Sequence, residues 1–160
     1  MELIDPIDCP YYLVTRTSLM ITSILKRGFI SAGVEQVKPA YLGVLMSLWR
    51  HEDRKAGTSQ KGNLTELKTN ELAKLAGLEP STMTGLLDRM ERDALIVRNA
   101  APDDRRAQHI SLTQKGHNVR ESVLKVVDQM LNEVFRDISN VDLECTKDVL
   151  RVVLANNKEV

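Results

Sequence analysis

The sequence predicts a mainly α-helical protein with one small β-hairpin. Over most of the 160 residues, apolar side chains recur at spacings of three and four, which is typical of amphipathic helices. Between residues 95 and 112, two β-prone stretches flank a turn-prone one, and the second alternates apolar and polar residues as a strand does. The five prolines lie at the starts of segments or between them, so they mark boundaries rather than interrupt helices.

Two helices are predicted in the first third of the chain. Residues 11–30 carry apolar side chains near helical spacing, and Gly28 and Gly33 mark the end of this helix. Pro39 suits the first turn of a second helix, over residues 40–53. The second helix is apolar nearly all round, so we expect it to be buried on several sides. Residues 54–64 are polar and rich in turn-forming types, which predicts a loop.

The next segment is typical of a helix-turn-helix. Thr69 is a good N-cap for a short helix, which Gly77 ends after about two turns. Pro80 opens a second helix that extends to about Arg92. Two short helices joined by a tight glycine-containing turn form this unit. Because the hairpin follows at once, the sequence predicts a winged helix-turn-helix.

Two further helices are predicted after the hairpin. Thr113 caps a long helix that runs to about Ile138, and Asn140 separates it from a last helix over residues 141–156. The apolar stripes of the first helix and of these last two are more than a domain of this size covers internally. We therefore expect N- and C-terminal dimerisation helices that bury these stripes across a two-fold axis.

The helix over residues 80–92 has two chemically different faces. Its apolar face, which should meet the core, carries Met83, Leu86, Leu87 and Met90. Its polar face carries Ser81, Thr82, Thr84, Gly85, Asp88, Arg89 and Arg92. Small residues at its N-terminal end suit insertion against base edges in the major groove, and the arginines can reach phosphate or guanine. A solvated surface face is the alternative, but Gly85 and the adjoining hairpin favour DNA.

The hairpin tip is the second candidate DNA contact. Asp104 precedes Arg105 and Arg106 at or near the turn. The carboxylate can hold one guanidinium and leave the other for the minor groove, where a narrow width concentrates negative potential. Taken alone, this tripeptide is more simply interpreted as a solvated charged turn.

Composition excludes several other classes of protein. Basic and acidic residues both number 22, so there is no global basic field, although residues 61–120 hold 10 basic against 8 acidic side chains. Aromatic residues make up 4 %, too few for a platform that stacks single-stranded bases. Two cysteines exclude a disulfide-dense secreted scaffold. The acidic start does not suit a signal peptide, and the longest apolar run is too short to span a bilayer, so we expect a soluble, cytoplasmic protein.

Motifs of enzymes and metal sites are missing from the sequence. It has no glycine-rich phosphate loop, no Gly-x-Ser-x-Gly and no clustered set of His, Asp and Glu. The histidines at 51, 109 and 117 do not have the spacing of a closed zinc site. We therefore expect no enzymatic activity, no metal and no cofactor.

Three motifs in the middle of the chain fit one family pattern. They are residues 81–92, with Ser-Thr-Met-Thr and Leu-Asp-Arg-Met-Glu-Arg, then Asp104-Arg105-Arg106-Ala107, then Leu112-Thr113-Gln114-Lys115-Gly116. Together they resemble the MarR family of bacterial transcription regulators, whose wing carries Asp-x-Arg-Ala/Ser and whose next helix starts with Leu-Thr-x-x-Gly. The flanking helices fit in order and length, over residues 11–156. The resemblance implies a homodimeric repressor that binds a pseudo-palindrome in double-stranded DNA and is released by a small ligand.

We divide the chain accordingly. Residues 39–112 form the expected DNA-binding winged helix, and residues 1–38 and 113–160 form the helical dimerisation region. One departure from the family is the segment 53–66, which is longer than the usual connection by about a dozen residues. Its basic residues Arg54, Lys55 and Lys61 either add phosphate contacts or belong to a disordered loop.

The resemblance also implies an effector site. The family's usual effectors are aromatic acids and phenolic compounds, held where the dimerisation helices meet the winged helix. The residues that would line such a crevice here are Tyr12, Arg16, Met20, Tyr41, Leu45 and Trp49. Arg16 would pair with the anion. The simpler interpretation is that Tyr41, Leu45 and Trp49 are core residues and Arg16 is a surface charge.

Two alternatives to a ligand-released repressor stay open. Some members of the family sense peroxide through a cysteine near the start of the first helix, and here Cys9 precedes Tyr11 and Tyr12. Asp5 and Asp8 disfavour the thiolate that this chemistry needs. The second alternative is a winged helix used purely for protein contacts, which would not need arginines on its wing. Duplex binding that weakens steeply with salt distinguishes the regulator from both an enzyme and this second alternative.

Overall fold

Helices dominate the architecture, together with one small antiparallel sheet. The structure, a computed structural model, describes residues 5–56, 66–100 and 108–156. Its helices are α1 (Pro10–Ser31), α2 (Leu42–Ala56), α3 (Thr69–Ala76), α4 (Pro80–Arg92), α5 (Gln114–Asn118), α6 (Arg120–Val134) and α7 (Asn140–Asn156). Its strands are β1 (Leu67–Lys68), β2 (Ile96–Ala100) and β3 (Gln108–Leu112). Short 3-10 helices lie at Pro6–Asp8 and Pro39–Tyr41.

Helices α1 and α2 form where the sequence predicts them, with different ends. Helix α1 continues through Gly28, which the sequence analysis placed at its end. A Cβ at Gly28 would lie 2.5 Å from a methyl of Val126, so this glycine allows α1 and α6 to approach closely. Gly33, with φ of +70°, follows the end of the helix. Helix α2 runs three residues beyond its predicted end to Ala56, because Arg54 and Lys55 are good helix formers that also favour a helix C-terminus.

The helix-turn-helix consists of α3 and α4, as predicted. Gly77 adopts the left-handed conformation, with φ of +65°, and ends α3. The predicted N-cap at Thr69 is wrong by one residue, since Lys68 takes that position and Thr69 is the first helical residue. The Glu71 carboxylate accepts the backbone N–H of Lys68 at 3.3 Å, so Glu71 satisfies the start of the helix in place of a threonine hydroxyl.

The predicted hairpin is part of a three-stranded sheet in the order β1–β3–β2. Strands β2 and β3 pair from Ile96 opposite Leu112 to Ala100 opposite Gln108. The third strand, β1, is not predicted from the sequence and pairs Leu67 with Ile110. Two residues are too few to show a two-residue period.

The predicted long helix after the sheet is broken in two. The Thr113 hydroxyl accepts the backbone N–H of Gly116 at 3.0 Å, which confirms the predicted cap. The chain then turns at Val119, and α6 ends at Val134 rather than at Ile138. The indole N–H of Trp49 donates to the Gly116 carbonyl at 3.3 Å and so occupies a carbonyl just before the turn.

The apolar core is enclosed by α2, α3, α4 and the inner face of the sheet, and the C-terminal half of α1 and α6 cover it. The two ends of the chain contribute little. From α1 only Leu25 and Phe29 are buried, and the described part of α7 has no buried side chain. No helix in the described ranges is long and apolar enough to cross a membrane.

Candidate nucleic-acid interface

Helix α4 presents the predicted faces. Met83, Leu86, Leu87 and Met90 are buried, so the predicted core face is confirmed. Six of the seven residues of the polar face are exposed and Gly85 is half-buried. A Cβ at Gly85 would meet just one atom within 4 Å, a terminal nitrogen of Arg89 at 3.8 Å, so this position faces outward. The exposed surface at the N-terminal end of α4 is therefore polar and formed by small residues.

Asp88 has a partner inside the chain that the sequence analysis missed. Arg98 of strand β2 donates from Nη2 to Asp88 Oδ1 at 2.7 Å, and from Nη1 to Glu91 Oε2 at 3.2 Å. Its Nη2 also approaches the Thr84 carbonyl at 3.4 Å. The Asp88 carboxylate therefore binds the hairpin strand, and its predicted contact with DNA stays a prediction. The contact joins residues ten positions apart, so no helical or strand period reveals it.

The C-terminal end of α4 is also tied to the core. The buried Tyr41 hydroxyl donates to Asp93 Oδ2 at 2.7 Å, and Lys115 Nζ donates to the Asp93 carbonyl at 3.0 Å. Burial, and after it the hydrogen bond to Asp93, raises the pKa of Tyr41 to about 12. Tyr41 therefore stays neutral and fixes the end of the helix.

The outer face of the sheet carries a polar cluster around Glu66. Glu66 Oε2 lies 3.0 Å from His109 Nδ1, and Glu66 Oε1 accepts from Asn99 Nδ2 at 2.7 Å. The carboxylate thus links the start of β1 to both hairpin strands. Within the described ranges no three His, Cys, Asp or Glu side chains gather as metal ligands.

A second group of contacts joins α2 to the turn between α5 and α6. Arg120 donates to both carboxylate oxygens of Asp53, at 2.9 and 2.6 Å, and this hydrogen bonding lowers the pKa of Asp53. Glu52 lies 3.5 Å from His117 Nδ1, and burial raises the pKa of its carboxyl. With the Trp49 contact to Gly116, these pairs connect the winged helix to the helix that leads out of it.

The six residues of the predicted effector site fall into two sets. Tyr41, Leu45 and Trp49 are buried in the core, as the simpler interpretation had it. Tyr12, Arg16 and Met20 are exposed on α1, where the Arg16 guanidinium lies 5.9 Å from the centre of the Tyr12 ring. The six side chains therefore do not line one open crevice within a single chain.

The remaining predicted residues can be placed briefly. Asp104, Arg105 and Arg106 lie outside the described residues, so their role stays a prediction. Cys9 is the half-buried residue just before α1, and Cys145 is exposed on α7. Both cysteines are free thiols.

Comparison with known proteins finds a family model that matches part of the chain and solved structures that share its fold. Residues 40–107 match the model of the MarR family. The PcaV transcriptional regulator from Streptomyces coelicolor, in complex with its natural ligand, has a TM-score of 0.76 at 18 % identity, over 96 % of each chain. CouR from Rhodococcus jostii RHA1, bound to p-coumaroyl-CoA, has a TM-score of 0.69 at 22 % identity, over 95 % of this chain and 96 % of that chain. The S. aureus MepR–DNA complex has a TM-score of 0.72 at 23 % identity, over 92 % and 98 %.

Proposed function

We propose that the chain belongs to the MarR family of winged-helix, DNA-binding transcription regulators, and that it is a ligand-released repressor that binds a pseudo-palindromic operator as a homodimer. The observation that carries the proposal is the exposed polar face of α4. A recognition helix enters the major groove with its first turns, and here those turns bear Ser81, Thr82 and Gly85, which are small. Arg89 and Arg92 follow on the exposed side, where guanidinium groups can reach phosphates or guanine.

The homodimer is supported by the apolar surface at the two ends of the chain. The exposed large apolar residues of α7 are Val141, Val149, Leu150, Val152, Val153 and Leu154. Those in the N-terminal half of α1 are Tyr11, Tyr12, Leu13, Val14, Leu19 and Met20. Apolar surface of this extent is typical of association sites. A two-fold axis through these helices would present two α4 helices to successive major grooves about 34–36 Å apart.

Release from DNA by a ligand is supported by two similar structures with bound small molecules and by the types of side chain exposed on α1. CouR and PcaV are similar folds described with small molecules bound. In this chain Tyr12 offers an aromatic ring and Arg16 offers a cation. Both lie on the exposed part of α1, which the proposed partner would cover. To shift operator affinity a hundredfold, a ligand must prefer one dimer conformation by about 2.7 kcal/mol. One ring and one charge-assisted hydrogen bond provide that much.

The operator is found by selecting duplexes from a random pool with the full chain. We expect an inverted repeat whose half-sites are centred about one helical turn apart, bound with an affinity that falls steeply with salt. Arg89→Ala should weaken binding and relax base preference at one position by about 1–3 kcal/mol. A pool that shows no enrichment would contradict the proposal and favour a protein-interaction module.

The effector is tested by thermal melting with a panel of aromatic carboxylates. We expect at least one to raise the melting temperature and release the selected duplex, and Arg16→Ala to reduce this response while operator affinity is unchanged. Operator DNA must weaken the ligand's affinity by the same factor as the ligand weakens DNA binding. If no acid binds at millimolar concentration, loss of DNA binding on peroxide treatment that Cys9→Ser abolishes would support the redox alternative.

A further inference from the structure

Arg98 occupies a position on the sheet where an apolar residue is expected. It pairs directly with Ile110 on β3, and residues two apart on a strand point to the same face, so it lies on the same side as Ile96. Both isoleucines are buried in the core. The Arg98 side chain is 19 % exposed, and a guanidinium withdrawn from water to this degree is costly unless acceptors surround it.

The acceptors all come from helix α4 and bind the two terminal nitrogens, whereas the buried Nε has no hydrogen-bond partner among the described residues. The two terminal nitrogens of Arg98 bind the carboxylates of Asp88 and Glu91, and Nη2 also approaches the Thr84 carbonyl. The Glu91 carboxylate, in addition, accepts the backbone N–H of Arg98 at 3.3 Å. Arg98 therefore contacts α4 at positions from Thr84 to Glu91, which are about two helical turns apart. Contact at two turns restrains rotation of the helix as well as its distance from the strand.

We propose that Arg98 is the positioning residue that fixes the orientation of α4 relative to the hairpin, and that Asp88 serves this contact instead of reading bases. The consequence of this contact for DNA binding rests on the proposed function. If α4 occupies the major groove while the hairpin approaches the neighbouring minor groove, their mutual angle decides whether both can bind at once. Arg98 then contributes to operator affinity without touching DNA.

Charge supports this assignment over a direct role of Asp88 on DNA. Arg98 balances one of the two carboxylates that it binds. An aspartate beside the phosphate backbone would repel it, whereas Asp88 held at 2.7 Å by a guanidinium has part of that repulsion offset. Asp88 therefore suits a place at the edge of a DNA-binding face when Arg98 is paired with it.

The first test is independent of DNA. Hydrogen exchange is compared between the full-length wild type and Arg98→Gln over residues 84–92 and 96–100. Faster exchange in both segments, with the melting transition and the emission of buried Trp49 retained, is the expected result. Arg120→Gln removes a similar arginine–aspartate pair from α6 and is the matched control, which should leave both segments unchanged. Unchanged exchange in Arg98→Gln would overturn the inference.

The second test uses the selected operator and two single variants with their double variant. Arg98→Gln should raise the Kd at least tenfold with the same fraction of active protein in a stoichiometric titration, which separates a positioning role from loss of folded protein. Asp88→Asn should weaken binding less, keep the base preference, and add nothing to Arg98→Gln in the double variant. The inference is overturned if Asp88→Asn changes preference at one base pair or adds its full effect in the double variant. If the wild type binds no duplex, the proposed function fails, and the exchange experiment still decides whether Arg98 orients α4.

Discussion

The winged helix and the two ends of the chain use similar amphipathic helices in opposite ways. In α2, α3 and α4 the apolar stripe is turned into a shared core, and polar contacts such as Tyr41 with Asp93 fix the ends of elements. In α7 and the N-terminal half of α1 most of the apolar residues stay exposed. The same sequence periodicity therefore produces apolar faces that are buried within the chain in one region and left exposed in the other. We propose that a second copy of the chain covers the exposed faces.

The largest expected effect is in the winged helix. Leu48 on α2 is fully buried, so Leu48→Ala should lower the free energy of unfolding by about 2–5 kcal/mol through lost contacts and a cavity. Urea unfolding, monitored by the emission of Trp49, measures this loss of free energy. Leu154→Ala makes the same deletion at a side chain that is 70 % exposed in the single chain. Its effect should vary with protein concentration, because it acts through association. Equal losses that do not depend on concentration would remove the distinction between the regions.

The next effect should appear in association alone. Val152 on α7 is 60 % exposed, and Val152→Asp should weaken the dimer at least a hundredfold, or about 2.7 kcal/mol, by burying an unpaired carboxylate in the interface. Sedimentation equilibrium measures the dissociation constant. Leu75→Asp is the control, since Leu75 is 56 % exposed but lies on α3 of the winged helix. A dimer weakened equally by both changes would show that α7 is not the interface.

A smaller effect is expected on the stability of the winged helix at alkaline pH. The pKa of Tyr41 is raised to about 12 in the folded protein, so the folded state keeps the hydroxyl proton after the unfolded chain has lost it. This contribution is fully present below pH of about 10 and is lost as pH rises from there towards 12, by roughly 2 kcal/mol. Tyr41→Phe lacks the group and starts about 1 kcal/mol less stable at pH 7. The two curves of unfolding free energy against pH should therefore meet between pH of about 10 and 12 and then cross, which leaves the wild type about 1 kcal/mol less stable at pH 12. A constant difference up to pH 12 would mean that Tyr41 is not buried against Asp93.

Most helices could be predicted because their signals are local. The apolar face of α4, the left-handed glycine at 77 and the threonine cap at 113 depend on residues within a few positions of one another. The exposed state of α7 could not be distinguished from burial in this way, since periodicity shows that a helix has an apolar side and not what covers it.

The contacts that hold the site together could not be predicted, because they join distant positions. In the sequence Arg98 is one residue of the first β-prone stretch, and its carboxylate partners follow from how that strand packs on α4. The pairing of Asp53 with Arg120 and of Trp49 with Gly116 spans 67 positions in each case. The contact of Asp88 with Arg98 could not be predicted for the same reason, since an exposed carboxylate on a helix shows its partner only in three dimensions.

The most direct test of the account is the number of chains on one operator. Each chain has a mass of 18.0 kDa, so sedimentation of the free protein and of its complex with the selected duplex resolves the stoichiometry. The account predicts a dimer at micromolar concentration and two chains bound together on one inverted repeat, with both half-sites required. A monomer that saturates a single half-site with the same affinity would contradict it.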